Sequence, residues 1–513
     1  MKKTVQLLLL LLAFTATTSL LTSCEYEDGK DGINGVDGKD GEDGQDGEDG
    51  EDGTDASVYL TASKTPSLVK VTSDFSNLKI TPIISSEDII PNSPDFVYGS
   101  MADGAGLLAE ADGTFTLINN IEADYSIARI KLTEDLKPYY GEYILNAAAT
   151  GSTAQCSGSM VTPEEHGFGP LYLSGGEWGG ASKGVFATDP YKSADDAGTA
   201  KLLPALGQWS TENAVVLNKN AYPNNTVVVI GDDDSGGDVP QGHLGVYVGS
   251  QGDLEGGKLY TIKVTSPGIT YEVDMVEGTE YDVEFVELTE KSSVEDLNAD
   301  AKAKGAMGFV RVEDIDWKKG TATDNREIYF CATGRDKAEF VDKGTVSGRI
   351  YKLVFNENDP IGSAKITCVL DGDVVGGKAE GFLSPDNILV TENYAYIQED
   401  PAIGNDVNGS APKDHYARLY QYNLNTGDLK VVLECNQVYA EKLGYGSASS
   451  RWEITGMIDV TDIVNNGKNS FLLITQNHGW KPADGTHFTD PLANATSTRA
   501  DGSTLYSITG LDR

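Results

Sequence analysis

Acidic residues recur in this chain where short apolar runs begin or end. They stand in Asn120-Ile-Glu122, Ser174-Gly-Gly-Glu177, Gly231-Asp-Asp-Asp234, Arg311-Val-Glu313-Asp314, Asp386-Asn387, Glu399-Asp400 and Glu453-Ile-Thr-Gly456. Carboxylates brought to one place repel one another unless positive charge sits between them. If the runs that carry them converge, the chemistry they imply is cation binding. Hard cations such as calcium take six to eight oxygen ligands, and Glu122, Glu177, Asp232, Asp233, Glu313, Asp386, Glu399 and Asp400 are the candidates. Cys156, in Gln-Cys-Ser-Gly-Ser, adds a thiolate and with it an affinity for a softer transition metal. Each motif also has a bland reading. Asp232 to Asp234 and Asp386-Asn387 suit turns, Glu313 suits the surface, and Arg311 suits an ion pair with Glu313 or Asp314.

The elements that must position these acids are strands. From Val58 onward the pattern is of short apolar or alternating runs bounded by Gly, Asn and Asp. Examples are Thr226-Val-Val-Val-Ile230, Lys258-Leu-Tyr-Thr-Ile-Lys-Val264, Gly348-Arg-Ile-Tyr-Lys-Leu-Val354 and Ser470-Phe-Leu-Leu-Ile474. Related phrases recur loosely, which predicts an all-β β-propeller with inserted loops, a large sandwich being the alternative. In a propeller the innermost strands line a central channel, so acids from distant parts of the chain face one another across a small space. Helical stretches are expected to be few, the best candidate being 293–304, as a surface insertion. Cys331, Cys368 and Cys435 lie in strand-like contexts and read as small buried apolar residues; Cys156 reads as a turn residue beside the acids.

Charge and the N-terminus bound the function. The 513 residues carry a formal charge of -40, which excludes nucleic acid as a partner and favours divalent cations. Met1-Lys-Lys followed by the short apolar run to Ala13 and then Leu21-Thr-Ser-Cys24 resembles a lipoprotein signal over 1–23. Cys24 is then the lipidated first residue, and the chain is expected at a bacterial cell envelope, as an outer-membrane lipoprotein. Glu25, Glu27 and Asp28 resemble a surface-export signal. Within 24–56, Gly recurs at every third position from Gly29 to Gly53, the Gly-X-Y period of collagen. With no proline and 14 acids against 2 lysines between Glu25 and Asp55, an extended acidic tether is favoured over a trimeric stalk. The β-propeller domain is expected over 57–513.

Taken in order, the motifs resemble the PhoX-type alkaline phosphatases. Asn120-Ile-Glu122 resembles that family's Asn-His-Glu, with Ile121 in place of His. Cys156-Ser-Gly with Thr162-Pro163 resembles its Cys-x-Gly-Gly-x-Thr-Pro segment. Tyr172-Leu-Ser-Gly-Gly-Glu177 resembles its strand ending in paired Glu, with Gly176 in place of one. Gly231-Asp-Asp233, Phe309-Val-Arg-Val-Glu313 (Val312 for a proline), Asp386-Asn387 and Glu399-Asp400-Pro401 resemble further segments of it. The resemblance implies a propeller that hydrolyses phosphate esters with iron and calcium. It also implies catalytic roles for Arg311, as a bidentate holder of phosphate oxygen, and for Asn120.

Two functions therefore compete. One is an envelope-anchored, metal-dependent phosphatase acting on a small phosphate ester. The other is a noncatalytic propeller, stabilised by calcium, that binds a ligand or partner. The chain has no His-Glu-x-x-His motif, which disfavours zincin hydrolases.

Overall fold

The computed structural model describes residues 55–180, 182–401, 415–495, 499 and 501–513. Thr54–Arg513 form one compact unit. The signal peptide, Cys24 and most of the Gly-X-Y segment lie outside the described residues.

Strands dominate because the apolar runs are buried on both faces. In the strand Asn225–Asp232, Val227 and Val229 enter one apolar cluster while Val228 and Ile230 enter another. The two-residue period of a strand thus feeds two cores with one run of β-branched residues. Burying each such side chain contributes about 1.5–3 kcal/mol, so the cores between sheets hold the sheets face to face.

The sheets form a six-bladed propeller. The innermost strands are Ala102–Ala109, Thr153–Val161, Thr211–Val216, Val312–Trp317, Pro385–Val390 and Glu453–Asp459. Each touches the next in that order, and the last touches the first, closing the ring. Further antiparallel strands extend every blade outward. The outer strands of the third and fourth blades also pair (Val283 opposite Ala364), merging them into one nine-stranded sheet. The ring is closed by residues from both ends of the described unit. Val69–Val71 pairs with Leu429–Cys435 at the edge of the fifth blade, and Lys79–Ser85 pairs with Asp501–Thr509 in the sixth. Such closure leaves few open edges.

Two glycines let neighbouring blades meet. A Cβ on Gly175 would lie 2.0 Å from the Glu212 carbonyl oxygen, and one on Gly231 would lie 2.3 Å from that of Glu313. Both sit on the second strand of a blade, against the inner strand of the next. The helix Val294–Lys304 is N-capped by Ser293, whose hydroxyl accepts from the Asp296 amide; it is an insertion between the third and fourth blades. Cys156, Cys331, Cys368 and Cys435 are all free and buried. Cys156 lies within an inner strand and not in the turn expected from its sequence. Gly158 and the small residues around it had resembled a turn because they pack closely on the first blade.

Candidate metal centre

Six inner strands each bring one ligand-type side chain to one end of the axis: Asp103, Cys156, Glu212, Glu313, Asp386 and Glu453. They line a cavity of about 500 Å³, joined by Glu122, Glu177, Asp233 and Asp400 from adjoining strands and turns. Nine carboxylates and a thiol meet there, against four arginines, Arg311, Arg335, Arg451 and Arg499.

Local hydrogen bonds aim these groups. Glu122 accepts from Trp178 Nε1 at 2.6 Å and from Gln476 Nε2 at 3.0 Å. Trp178 is stacked in turn beneath the Arg499 guanidinium, 4.8 Å from its ring centre. Glu212 accepts from the Ser157 amide at 3.1 Å, Asp103 from the Thr455 hydroxyl, and Asp386 from the Thr333 hydroxyl at 3.2 Å. The Cys156 thiol donates to Glu177 Oε2 at 2.8 Å. Arg311 grips Asp233 in bidentate fashion, Nε and Nη2 donating at 2.5 and 3.1 Å. Its Nη2 also lies 2.5 Å from Glu313, while Nη1 is buried without a hydrogen-bond partner. Arg311 has φ 64°, a conformation that costs a non-glycine residue on the order of 1 kcal/mol and is concentrated at functional sites.

The electrostatics follow from that crowding. Burial, and then the neighbouring acids, hold the carboxyls of Asp103, Glu177 and Glu453 well above the usual range. Burial does the same to Glu212, Glu313 and Asp386, with Arg311 opposing it at the last two. The Cys156 thiol is pushed well up by burial and by Glu177, Glu122 and Glu212. Asp233 is the exception. Burial would raise it, but the Arg311 charge and hydrogen bonds from Glu177, Arg311 and Glu313 bring it down to about 2. A donor set whose negative charge exceeds its positive charge, with thiol and carboxyls unwilling to ionise alone, fits bound cations. Among the described residues two groups are close enough to share an ion, their ligand atoms lying within 4.8 Å of one another: Asp103, Glu122 and Cys156, and Cys156, Glu177 and Glu212.

Of the residues singled out from sequence, the structure brings Glu122, Cys156, Glu177, Asp233, Arg311, Glu313, Asp386 and Asp400 to this cavity. It turns three others away. Asp232 accepts from the backbone amides of Ser210 and His243 at 3.2 and 3.3 Å, because alternate residues of a strand face opposite ways. Glu399, next to Asp400, is flipped in the same manner. It accepts from the amides of Leu383 and Arg418 and from the Tyr420 hydroxyl, and lies 2.9 Å from His415. Asn120 does not line the cavity; its Nδ2 donates to the Cys156 and Ser157 carbonyls and so holds the cysteine strand. Asp103 and Glu212, absent from the sequence expectations, complete both ligand groups. Glu453, whose motif was noted without a ligand role, also lines the site.

The model of a family described as "Alkaline phosphatase PhoX" matches residues 185–462, more than half of the chain. The chain belongs to the PhoX family. Among solved structures, Pseudomonas fluorescens PhoX in complex with vanadate, a transition-state analogue, shares the fold. It aligns with a TM-score of 0.58 and 14% identity, over 86% of this chain and 96% of that one. The catalytic domain of a Coprinopsis cinerea GH62 α-L-arabinofuranosidase (TM-score 0.31, 12% identity, 68% and 95% covered) and the AfRom2 CNH domain (0.33, 11%, 85% and 99%) align too weakly to bear on the argument. No curated protein matches the chain. The family's propeller is thus present here with the acid-rich cavity at one end of its axis.

Proposed function

We propose that the protein is a metal-dependent phosphatase of this family, hydrolysing phosphate esters in the acid-rich cavity. The observation that carries the reading is Arg311. It is held rigid by Asp233 and Glu313, yet keeps one buried guanidinium nitrogen unpartnered at the wall of a carboxylate-crowded cavity. A phosphoryl oxygen is the acceptor that Nη1 lacks. Cations held by Asp103, Glu122, Cys156, Glu177 and Glu212, with further acids nearby, would neutralise the surplus charge and acidify a bound water. The thiolate suits iron and the all-oxygen remainder suits calcium. The chain's own groups bind and orient: Arg311 fixes the phosphoryl group, Trp178 holds Glu122, and burial keeps the cavity's dielectric low.

A specific observation favours the second reading, a noncatalytic calcium-stabilised propeller. Ile121 is packed into an apolar core, and a side chain on Gly176 would strike Phe186, 2.6 Å from its Cβ, so neither position can supply the ligand that the family pattern carries there. The lipid anchor at Cys24, the envelope location, the acidic tether and the absence of nucleic-acid partners rest on the sequence and belong to the same proposal.

The test is hydrolysis of an aryl phosphate by the full chain, with and without chelator, beside metal analysis. Chelator-sensitive turnover with iron and calcium supports the phosphatase. Calcium alone without turnover supports the second reading, and a protein that binds neither metal sinks both.

A further inference from the structure

A second cavity, of about 690 Å³, shares a wall with the acid-rich one. Three segments contribute to both. Trp178 faces the acids while Gly180 faces the second cavity; Glu212 and Ser210 divide in the same way, as do Asp233 with Ser235 and Asp234 with Gly236. The far wall is the inserted helix, through Val294, Glu295, Asn298, Ala299 and Lys302. That helix is tied to the shared turn: Asp234 Oδ2 accepts from Asn298 Nδ2 at 2.6 Å and from Gln241 Nε2 at 3.0 Å.

The chemistry of this lining differs from its neighbour's. Lys183 and Lys302 are balanced by Asp234 and Glu295, so the cavity has no net formal charge to draw a second phosphate. Its apolar side chains are only Val294 and Ala299, too little to recognise an aryl or acyl group. What remains is uncharged hydrogen-bonding groups: Gln208, Ser210, Gln241, Ser293 and Asn298. Asn298 Oδ1 is a buried acceptor with no partner. It needs a donor, which a hydroxyl supplies and a phosphate oxygen cannot.

We propose that this cavity is the subsite for the alcohol part of the ester, and that the alcohol is a polyol, so that the substrates are sugar-type or other polyhydroxylated phosphate monoesters. The inference rests on the phosphatase reading for its catalytic consequence, but the binding of a polyol does not. A substrate reaching past the shared segments places its phosphoryl group by Arg311 and its hydroxyls against the side-chain amides of Gln208, Gln241 and Asn298. Interactions remote from the reacting bond then raise kcat/KM for polyol esters over aryl esters.

Ala299 is exposed on the helix, so Ala299→Trp fills the cavity from a position where folding tolerates bulk. In the full chain, kcat/KM for glucose 1-phosphate is expected to fall about tenfold, with that for p-nitrophenyl phosphate within about twofold of the unsubstituted protein. Gln208→Ala, which removes one amide and adds no bulk, is expected to shift the same ratio about threefold. Equal loss on both esters, or no change in either, overturns the subsite. A separate arm uses free glucose and free inositol with ligand-observed NMR. Binding of at least one that Ala299→Trp abolishes supports the polyol assignment even if neither ester is hydrolysed, in which case the phosphatase reading alone falls. Binding of neither overturns the assignment.

Discussion

The same six inner strands line both ends of the propeller axis, and the two ends differ in kind. At their beginnings the strands offer Asp103, Glu212, Glu313, Asp386 and Glu453, which crowd together with more negative than positive charge. Two to four residues further on they line a second, smaller space of about 180 Å³ with Leu107, Met160, Val215, Ile315, Leu389 and Met457. Three of the four acids lining this second space have hydrogen-bond or ion-pair partners of their own. Asp314 accepts from Asn213 Nδ2 at 2.6 Å and from the Ile388 amide at 3.1 Å. Asp316 accepts from the Val390 amide at 2.7 Å and from Lys319 at 2.6 Å, and Asp459 lies 2.7 Å from Arg513 Nε. A carboxylate with its own partners stitches blades together; a carboxylate left among others waits for a ligand. The fold permits both, and the difference lies in which neighbour each acid was given.

The largest break in that contrast is Arg311→Ala. It removes the guanidinium that offsets Asp233 and Glu313. Loss of one partner from a buried pair costs about 3–5 kcal/mol, and removal of one preorganised donor to a reacting group costs about 100- to 1000-fold in kcat. Both effects are expected, read as a lower melting temperature of the chelated protein and as aryl phosphate turnover of the metal-loaded one. Arg311→Lys should recover much of the stability and little of the turnover, since an ammonium cannot reproduce the fork.

Acidity acts with opposite sign on the acid mouth and on one histidine of the second mouth, where burial also raises Asp314 to about 7. The raised carboxyls of the acid mouth give the metal-free protein stability that is full below their unfolded values, near 4. It is lost as pH rises through the higher folded ones. Metal should reverse this by making the ionised state the bound one. At the second mouth His166 behaves oppositely. Burial, and then Lys319, lower it from 6.5 to about 3, and the Thr162 amide donates to its Nδ1 at 3.0 Å. Stability from its neutral ring is therefore present above 6.5 and lost as pH falls toward 3. Melting temperature against pH, with and without chelator, reads both. In the chelated protein Glu212→Gln should flatten the loss on the alkaline side and His166→Gln the loss on the acid side. If Glu212→Gln leaves the alkaline limb unchanged, the acid mouth is not frustrated in the way argued.

Much of this arrangement was legible before the fold. Strand content, the insertion helix and the convergence of Glu122, Glu177, Glu313 and Asp386 all follow from apolar runs and the acids beside them. The inner strands themselves were poorly legible. Thr211–Val216 and Ala102–Ala109 line the axis and carry Glu212-Asn213 and Asp103-Gly104 among their buried residues, so they lack the apolar run that marks a strand, and neither Asp103 nor Glu212 was among the candidates. An acid followed by Asn or Asp just ahead of a β-branched run (Glu212-Asn213, Glu313-Asp314, Asp386-Asn387) was the available signal. In these pairs the first residue faces the cavity and the second bonds sideways to another blade, as Asn387 Nδ2 does to Ser157 Oγ at 2.7 Å. Asp232 against Asp233, and Glu399 against Asp400, could not be separated, because choosing between neighbours needs the register of the strand.

The smallest effect expected tests whether close approach of the blades, and not acid identity alone, sets the geometry. Gly231→Ala would place a methyl group 2.3 Å from the Glu313 carbonyl oxygen, a contact that backbone cannot yield without moving the inner strand of the fourth blade. Overpacking of this sort costs about 1–3 kcal/mol, which for a protein of this size means a few degrees in melting temperature. The shift should move Glu313, and with it Arg311, relative to acids on the other blades. Metal content should then fall while Gly198→Ala, at a glycine with open space around it and no positive φ, leaves it unchanged. Equal metal content in Gly231→Ala and the unsubstituted protein would show that the ligand cluster tolerates displacement of one blade, and that the contrast between the two mouths rests on charge alone.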